Sequence, residues 1–279
     1  MTDNSHIPVD VTQLFPVLDK ELLSLLKSLS PEEWQAPTIA KLWKVKDVAA
    51  HLLDGNIRVL SLLRDNHWGE QPDIQTPQDL LDFLNRLNAD WVTAMKRVSP
   101  GMLVFLLELT GKPFCEYMAS LPPFEKSILT VDWAGETESR NWMEVAREYT
   151  EKWLHQQQIR DTVKKPGLMT SALFYPFIDI FMMALPHTYR HMDAPEGSTV
   201  KVTVSTDIGG SWWLTKSNNR WLLSKNGPAA TTAALTIDPD TAWKLFSKSL
   251  RPEQVSGFVQ LQGDRQLAAK ALSMVAVMA

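Results

Sequence analysis

The sequence predicts two folds in one chain. A four-helix bundle is expected over residues 1–165, and a small α+β domain, an antiparallel sheet with helices on one face, over residues 166–279. Three observations predict this. Up to Val163, apolar residues recur at three- and four-residue steps. After Ser198 the apolar period falls to two. Between them stands "KKPG", where Pro166 and Gly167 stop a helix and mark a linker.

In the first part, Leu18, Leu22, Leu25, Leu26 and Leu29 form one stripe. "SPEEW" is a helix start, with Ser30 as N-cap, Pro31 first and Glu33 closing a capping box. "VKDVAAHLLDGNIRVLSLLRDN" sets Val45, Val48, Ala49, Leu52, Asn56, Leu60 and Leu63 along one face, and "TPQDLLDFLNRLNADWVTAMKRV" repeats the pattern behind Thr76. "SPGMLVFLLELTGKPFCEYMASL" reads as a shorter helix, or as two pieces broken near Gly111 and Pro113. "SRNWMEVAREYTEKWLHQQQIRDTV" is a long helix with Trp142, Val145, Ala146, Tyr149 and Trp153 inward. In the second part, "STVKVTVSTD", "AALTID" and "GFVQLQG" read as strands. "GSWWLTKSNNRWLLSKN" reads as a hairpin turning at Ser217, Asn218 and Asn219. "PDTAWKLFSKSL" is a helix capped by Asp238, and "DRQLAAKALSMVAVM" a closing helix.

Composition narrows the function. The 279 residues are 44% hydrophobic and 22% charged, enough apolar mass to bury cores. A net charge of −4 argues against a nucleic-acid partner. The start carries no signal-peptide pattern, and no apolar run reaches the length of a membrane helix; "SALFYPFIDIFMMALP" is interrupted by Pro176 and Asp179 and ended by Pro186. A cytoplasmic protein without a membrane or nucleic-acid partner is therefore expected, as monomer or homodimer. One cysteine, Cys115, excludes an internal disulfide and a cysteine-based zinc knuckle. It has no basic neighbour in sequence and reads as a small buried residue rather than a nucleophile.

Chemistry concentrates in the histidines. His6 and His67 sit in polar stretches and read as solvated. His51 lies inside an apolar helix, with Gly55 one turn on leaving space beside it; it is either a hydrogen-bonded core residue or a ligand. Glu151 and His155 stand at i, i+4, so both reach the same point beside one helix face. As an exposed pair they contribute a few tenths of a kcal/mol. Together with His51 they would form a site of two imidazoles and one carboxylate, the donor set of a catalytic zinc with one open position. Gln156, Gln157 and Gln158 follow; one or two could support a ligand, or all could be solvated. Three residues are candidates for a catalytic role: Asp54, one turn from His51, and His187 and Arg190 beyond Pro186 at the junction of the halves.

These stretches carry a resemblance. "WKVKDVAAHLLDGN", "EKWLHQQQIRD" and "ALPHTYR" are similar to the mycothiol-dependent maleylpyruvate isomerase N-terminal family, a branch of the DinB-like metal-binding bundles. The resemblance spans most of residues 10–165 and implies a divalent metal, usually zinc, on His51, Glu151 and His155. "SWWLTKSNNRWLL", "DTAWKLF" and "LQGDRQLA" resemble the sterol-carrier-like domain that follows such bundles. Isomerase-type members carry an arginine near the end of that domain; the last arginine here is Arg265. Two functions are weighed. One is a zinc-dependent enzyme, a thiol S-transferase or isomerase, using a low-molecular-weight thiol as co-substrate on a small electrophilic substrate. The other is a binding protein for an apolar small molecule, held among Trp212, Trp213, Trp221 and Trp243, with a structural metal in the bundle.

Overall fold

The computed structural model describes residues 7–128, 135 and 138–276. His6 lies outside the described residues. The chain forms two compact units. The first runs to Phe124 and takes in Glu148–Gly167; the second comprises the described residues of Glu125–Arg147 and of 168–276. The segment 125–147 thus groups with the second unit, although its sequence precedes the linker. Helical periodicity carries no information on which core a connecting segment joins.

The first unit contains α1 (Phe15–Lys27), α2 (Pro31–Gln35), α3 (Val45–Val59), α4 (Pro77–Met95), α5 (Pro100–Ser120) and the later turns of α6 (Asn141–Val163). Its core joins Leu22, Leu25 and Leu26 of α1, Val48, Ala49, Leu52 and Leu53 of α3, Leu103 and Leu107 of α5 and Ile159 of α6. The α1 residues and Val48, Ala49 and Leu52 of α3 are those of the predicted stripes, so these two helices pack by hydrophobic phase; Leu53, Leu103, Leu107 and Ile159 join the core from outside those stripes. The starts follow from caps. Ser30 Oγ accepts from Glu33 N at 3.2 Å while Glu33 Oε2 accepts from Ser30 N at 2.7 Å. Thr76 and Asp79 form the same reciprocal pair. α4 lies against α3, where Trp91 Nε1 donates to Ala50 O at 2.8 Å.

Of the two readings of "SPGMLVFLLELTGKPFCEYMASL", the broken one fails. α5 is unbroken from Pro100 to Ser120, with Pro113 inside it. Pro113 has no N–H for the carbonyl of Leu109, but Leu109 is 61% exposed and its carbonyl can turn to water. Gly111 does not break the helix either; it gives room for α1. A Cβ there would collide with the Asp19 carboxylate.

The second unit carries a five-stranded sheet: β1 (Thr199–Val204), β2 (Gly210–Ser217), β3 (Arg220–Ser224), β4 (Ala233–Ile237) and β5 (Val259–Gly263), in the order β3-β2-β1-β4-β5. The sheet is mixed rather than antiparallel throughout, because β1 pairs β4 in parallel. The long connection through the β2–β3 hairpin returns β4 to the free edge of β1, and that route fixes its direction. The hairpin turn falls on Asn218 and Asn219 (φ +50° and +61°), the left-handed pair that a two-residue turn needs. Register places Val200, Val202, Val204, Trp212, Leu214, Leu235 and Ile237 on one buried face. Around the sheet run α7 (Ser171–Met182), α8 (Leu185–Tyr189), α9 (Pro239–Phe246) and α10 (Arg265–Lys270). The apolar run therefore continues through Pro176 as α7, and Pro186 opens α8 rather than ending a helix. The closing helix is shorter than its sequence suggests: α10 tightens into a 3₁₀ turn at Ala271–Ser273.

α7 is apolar on nearly every side, yet Asp179 is buried in it. The carboxylate accepts from Trp212 Nε1 at 2.8 Å and from Lys225 Nζ at 2.6 Å, pinning the helix to the sheet. Asp179→Ala leaves the buried indole N–H unsatisfied, at a cost of about 2–3 kcal/mol. The melting temperature should fall by roughly 5–10 °C. Asp179→Asn, which keeps an acceptor for Trp212, should lose less; equal losses in the two variants would contradict the account.

Candidate metal centre

Two helices of the first unit bring the predicted ligands together. α3 starts cleanly because Asp47 Oδ2 accepts from Lys44 N at 3.0 Å in its first turn. His51 then falls on the buried side, only 9% exposed. α6 presents Glu151 and His155 from consecutive turns, with Glu151 Oε2 at 3.2 Å from His155 Nε2. The rings of His51 and His155 meet edge to face, centroids 4.6 Å apart. One ligand atom from each of His51, Glu151 and His155 lies within 4.8 Å of the others.

The three residues fit a cation. His155 Nδ1 faces the amide oxygen of Gln158 at 2.9 Å, so Nδ1 carries a proton. In a neutral ring Nε2 is then a lone pair, and it faces a carboxylate oxygen. Two acceptors at hydrogen-bond distance require a proton or a metal between them. His51 points to the same need: its Nδ1 is buried without a hydrogen-bond partner among the described residues. A tetrahedral ion with bonds of about 2.0–2.1 Å spaces its ligand atoms by about 3.4 Å, close to the Glu151–His155 separation.

The surroundings hold this arrangement. Trp43 lies against both imidazoles, with ring centroids 4.8 Å from His51 and 6.1 Å from His155. A tight loop presents it: Trp43 N donates to Ala40 O at 2.7 Å, and Thr38 Oγ1 donates to Trp43 O at 2.8 Å. Lys152, beside Glu151, reaches α3, donating to Asn56 Oδ1 and, at 3.4 Å, to Leu52 O. Asn56 in turn donates to Thr110 Oγ1 of α5 at 2.9 Å. Burial drags the Lys152 amine down to about 8, against the pull of Glu148 and Asp19.

The three glutamines have separate fates. Gln158 anchors His155. Gln156, turned so that both amide atoms are satisfied, donates to Leu18 O at 3.1 Å and accepts from Arg160 Nη2 at 3.1 Å. It belongs to the joint between α6 and α1. Gln157 is buried, and its amide oxygen has no partner among the described residues. None of the three is a solvated amide.

The other named residues are placed as follows. Asp54 is half-buried on α3 and faces Arg58, with Oδ2 at 4.0 Å from Nε; burial raises its carboxyl above the usual range, partly offset by that cation. His67 is exposed. His187 and Arg190 stand in the second unit, on α8 and at its C-terminal cap. Gly135 (φ +80°) lies against His187, where a Cβ would come within 2.7 Å of Nδ1. Arg190 Nη1 donates to His187 O at 2.6 Å. Cys115 is half-buried, its thiol pushed up to about 11 by burial first and Asp19 second. Lys152 acts on it in the opposite sense and loses to burial. Sequence reasoning did not single out Trp43 or Lys152, and placed Asn56 only on the α3 stripe. The signal for Trp43 was its place one residue before the α3 cap.

Fold and site together define a metal-binding-type helical bundle joined to an α+β domain. Residues 15–160 match the family model of the mycothiol maleylpyruvate isomerase N-terminal domain, and the chain belongs to that family. Solved structures of a mycothiol-dependent maleylpyruvate isomerase share the fold: one is 11% identical over 90% of this chain and 91% of that chain, with a TM-score of 0.55. A mutant of that enzyme matches at 10% identity with the same coverage and TM-score. No curated protein matches the chain. Among the described residues, no helix is long and apolar enough to cross a membrane.

Two outcomes test the site. Burial first, and the His155 charge second, hold His51 well below its ordinary 6.5. The unfolded chain then takes up the proton more readily, so protonation favours unfolding. The metal-stripped protein should lose stability as pH falls below about 6.5, and His51→Gln should flatten that slope in pH-dependent thermal melts. Gln158→Leu removes the acceptor at His155 Nδ1. It should weaken zinc binding about 10–100-fold in competition with a chromophoric chelator, with the helical signal intact.

Proposed function

We propose that the chain is a metal-dependent, thiol-using enzyme, a thiol S-transferase or isomerase acting on a small electrophilic substrate. His51, Glu151 and His155 hold one divalent metal, zinc by the chemistry of the donors. The observation that carries this reading is the approach of those three ligand atoms, from two separate helices, to within 4.8 Å. Family membership supports a low-molecular-weight thiol as co-substrate. When bound, the metal would supply a Lewis-acid position at which a thiol loses its proton and becomes nucleophilic near neutral pH.

The chain's own residues prepare that chemistry. Gln158 holds the proton of His155 on Nδ1 and keeps Nε2 free as a donor atom. Trp43 covers one side of both imidazoles and excludes water there. Lys152 and Asn56 lock α6 to α3, fixing the distance between the two ligand-bearing helices.

The test uses cobalt in place of zinc. His155→Ala should abolish stoichiometric metal, while His67→Ala should bind one equivalent. Adding a small thiol to the cobalt protein should produce a sulfur-to-cobalt charge-transfer band in the near ultraviolet, with apparent affinity rising with pH as the free thiol ionises. Cys115→Ser should leave the band unchanged. Cobalt that loads but responds to none of several biological thiols would remove the basis of this reading.

A further inference from the structure

Two residues of α3 share the face that carries His51. Gly55 follows at i+4 and Arg58 at i+7, so His51 and Arg58 are two turns and about 10.5 Å apart along the helix axis. Gly55 is in the helix interior, where glycine is less favourable than alanine by about 0.5–1 kcal/mol. Packing does not require it: a Cβ at Gly55 would meet nothing within 4 Å. The open space begins one turn from a predicted metal ligand.

Arg58 ends this shelf. Its side chain is 37% exposed. Asp54 approaches the inner nitrogen Nε at the outer limit of an ion pair, 4.0 Å. Among the described residues the guanidinium has no hydrogen bond to a protein acceptor, so its terminal nitrogens are open. A guanidinium fork matches a carboxylate or phosphate in bidentate geometry. Its charge is felt at His51, consistent with the shared face.

We infer that the Gly55 shelf and Arg58 form an anion subsite beside the metal position, selecting a thiol or substrate that carries a carboxylate about two helical turns from its reacting atom. Gly55 supplies clearance for the chain of the ligand, Arg58 binds the anionic end, and Asp54 orients Arg58 through Nε. Arg58 is a specificity residue here. The inference rests on the metal and thiol reading above and adds to it the charge and length of the ligand.

The test compares 8-mercaptooctanoate with 8-mercaptooctanol on the cobalt protein, read by the charge-transfer band. The wild-type protein should bind the acid roughly tenfold more tightly than the alcohol, one charge-assisted contact. Arg58→Met should bring that ratio to about one with alcohol affinity unchanged. Gly55→Leu should weaken both probes while the melting temperature is held or raised. An acid-to-alcohol ratio that is the same in wild type and Arg58→Met overturns the subsite. A second arm needs no thiol: the Nε–Hε NMR signal of Arg58 in the zinc protein, assigned by its loss in Arg58→Lys, should shift with octanoate and not with octanol. If neither thiol produces a band, the thiol reading falls; the subsite then stands with that NMR shift and falls without it.

Discussion

The structure of the first unit depends on one constraint: α6 is a polar helix inside a bundle. Glu148, Thr150, Gln156, Gln157, Gln158 and Arg160 are all buried on it. A buried polar group without a partner costs more than a good hydrogen bond returns, so neighbouring helices must supply partners. α1 meets this with the Leu18 carbonyl and with Glu21, whose Oε2 accepts from Arg160 Nη2 at 2.8 Å. α3 meets it with Asn56 and the Leu52 carbonyl around Lys152. Apolar stripes bring the helices together; the polar atoms of α6 set their register.

The candidate metal centre is part of the same accounting. Gln158 satisfies one nitrogen of His155, while His51 Nδ1 has no partner among the described residues and the imidazole–carboxylate contact needs positive charge. A divalent ion on the three side chains would meet both needs at once. The same density of fixed groups suits the proposed chemistry, because side chains held by their neighbours would not need to reorganise on binding an ion. Trp43 adds an apolar wall to a site otherwise built from polar side chains.

Much of this was legible in the residues. The stripes of α1 and α3, the caps at Ser30, Thr76 and Asp238, and the asparagine turn each depend on neighbours within a few positions, and each appears where its pattern indicates. The errors share a cause. Pro113 reads as a breaker locally, but the cost of its missing bond depends on whether Leu109 O meets water. The parallel pairing of β1 with β4 depends on a route of about thirty residues, which strand alternation does not encode.

The sequence by itself determined which residues share a face. Glu151 and His155 must coincide because a helix turns every 3.6 residues, and His51 must be buried because its neighbours are apolar. Tertiary structure alone decided that the two faces meet, bringing His51 from a hundred residues away to within 4.8 Å of that pair. It also decided the fate of each glutamine. Periodicity gives an angle around one helix axis; which atom waits at that angle depends on the neighbouring helices, and those were placed by the packing of the whole core.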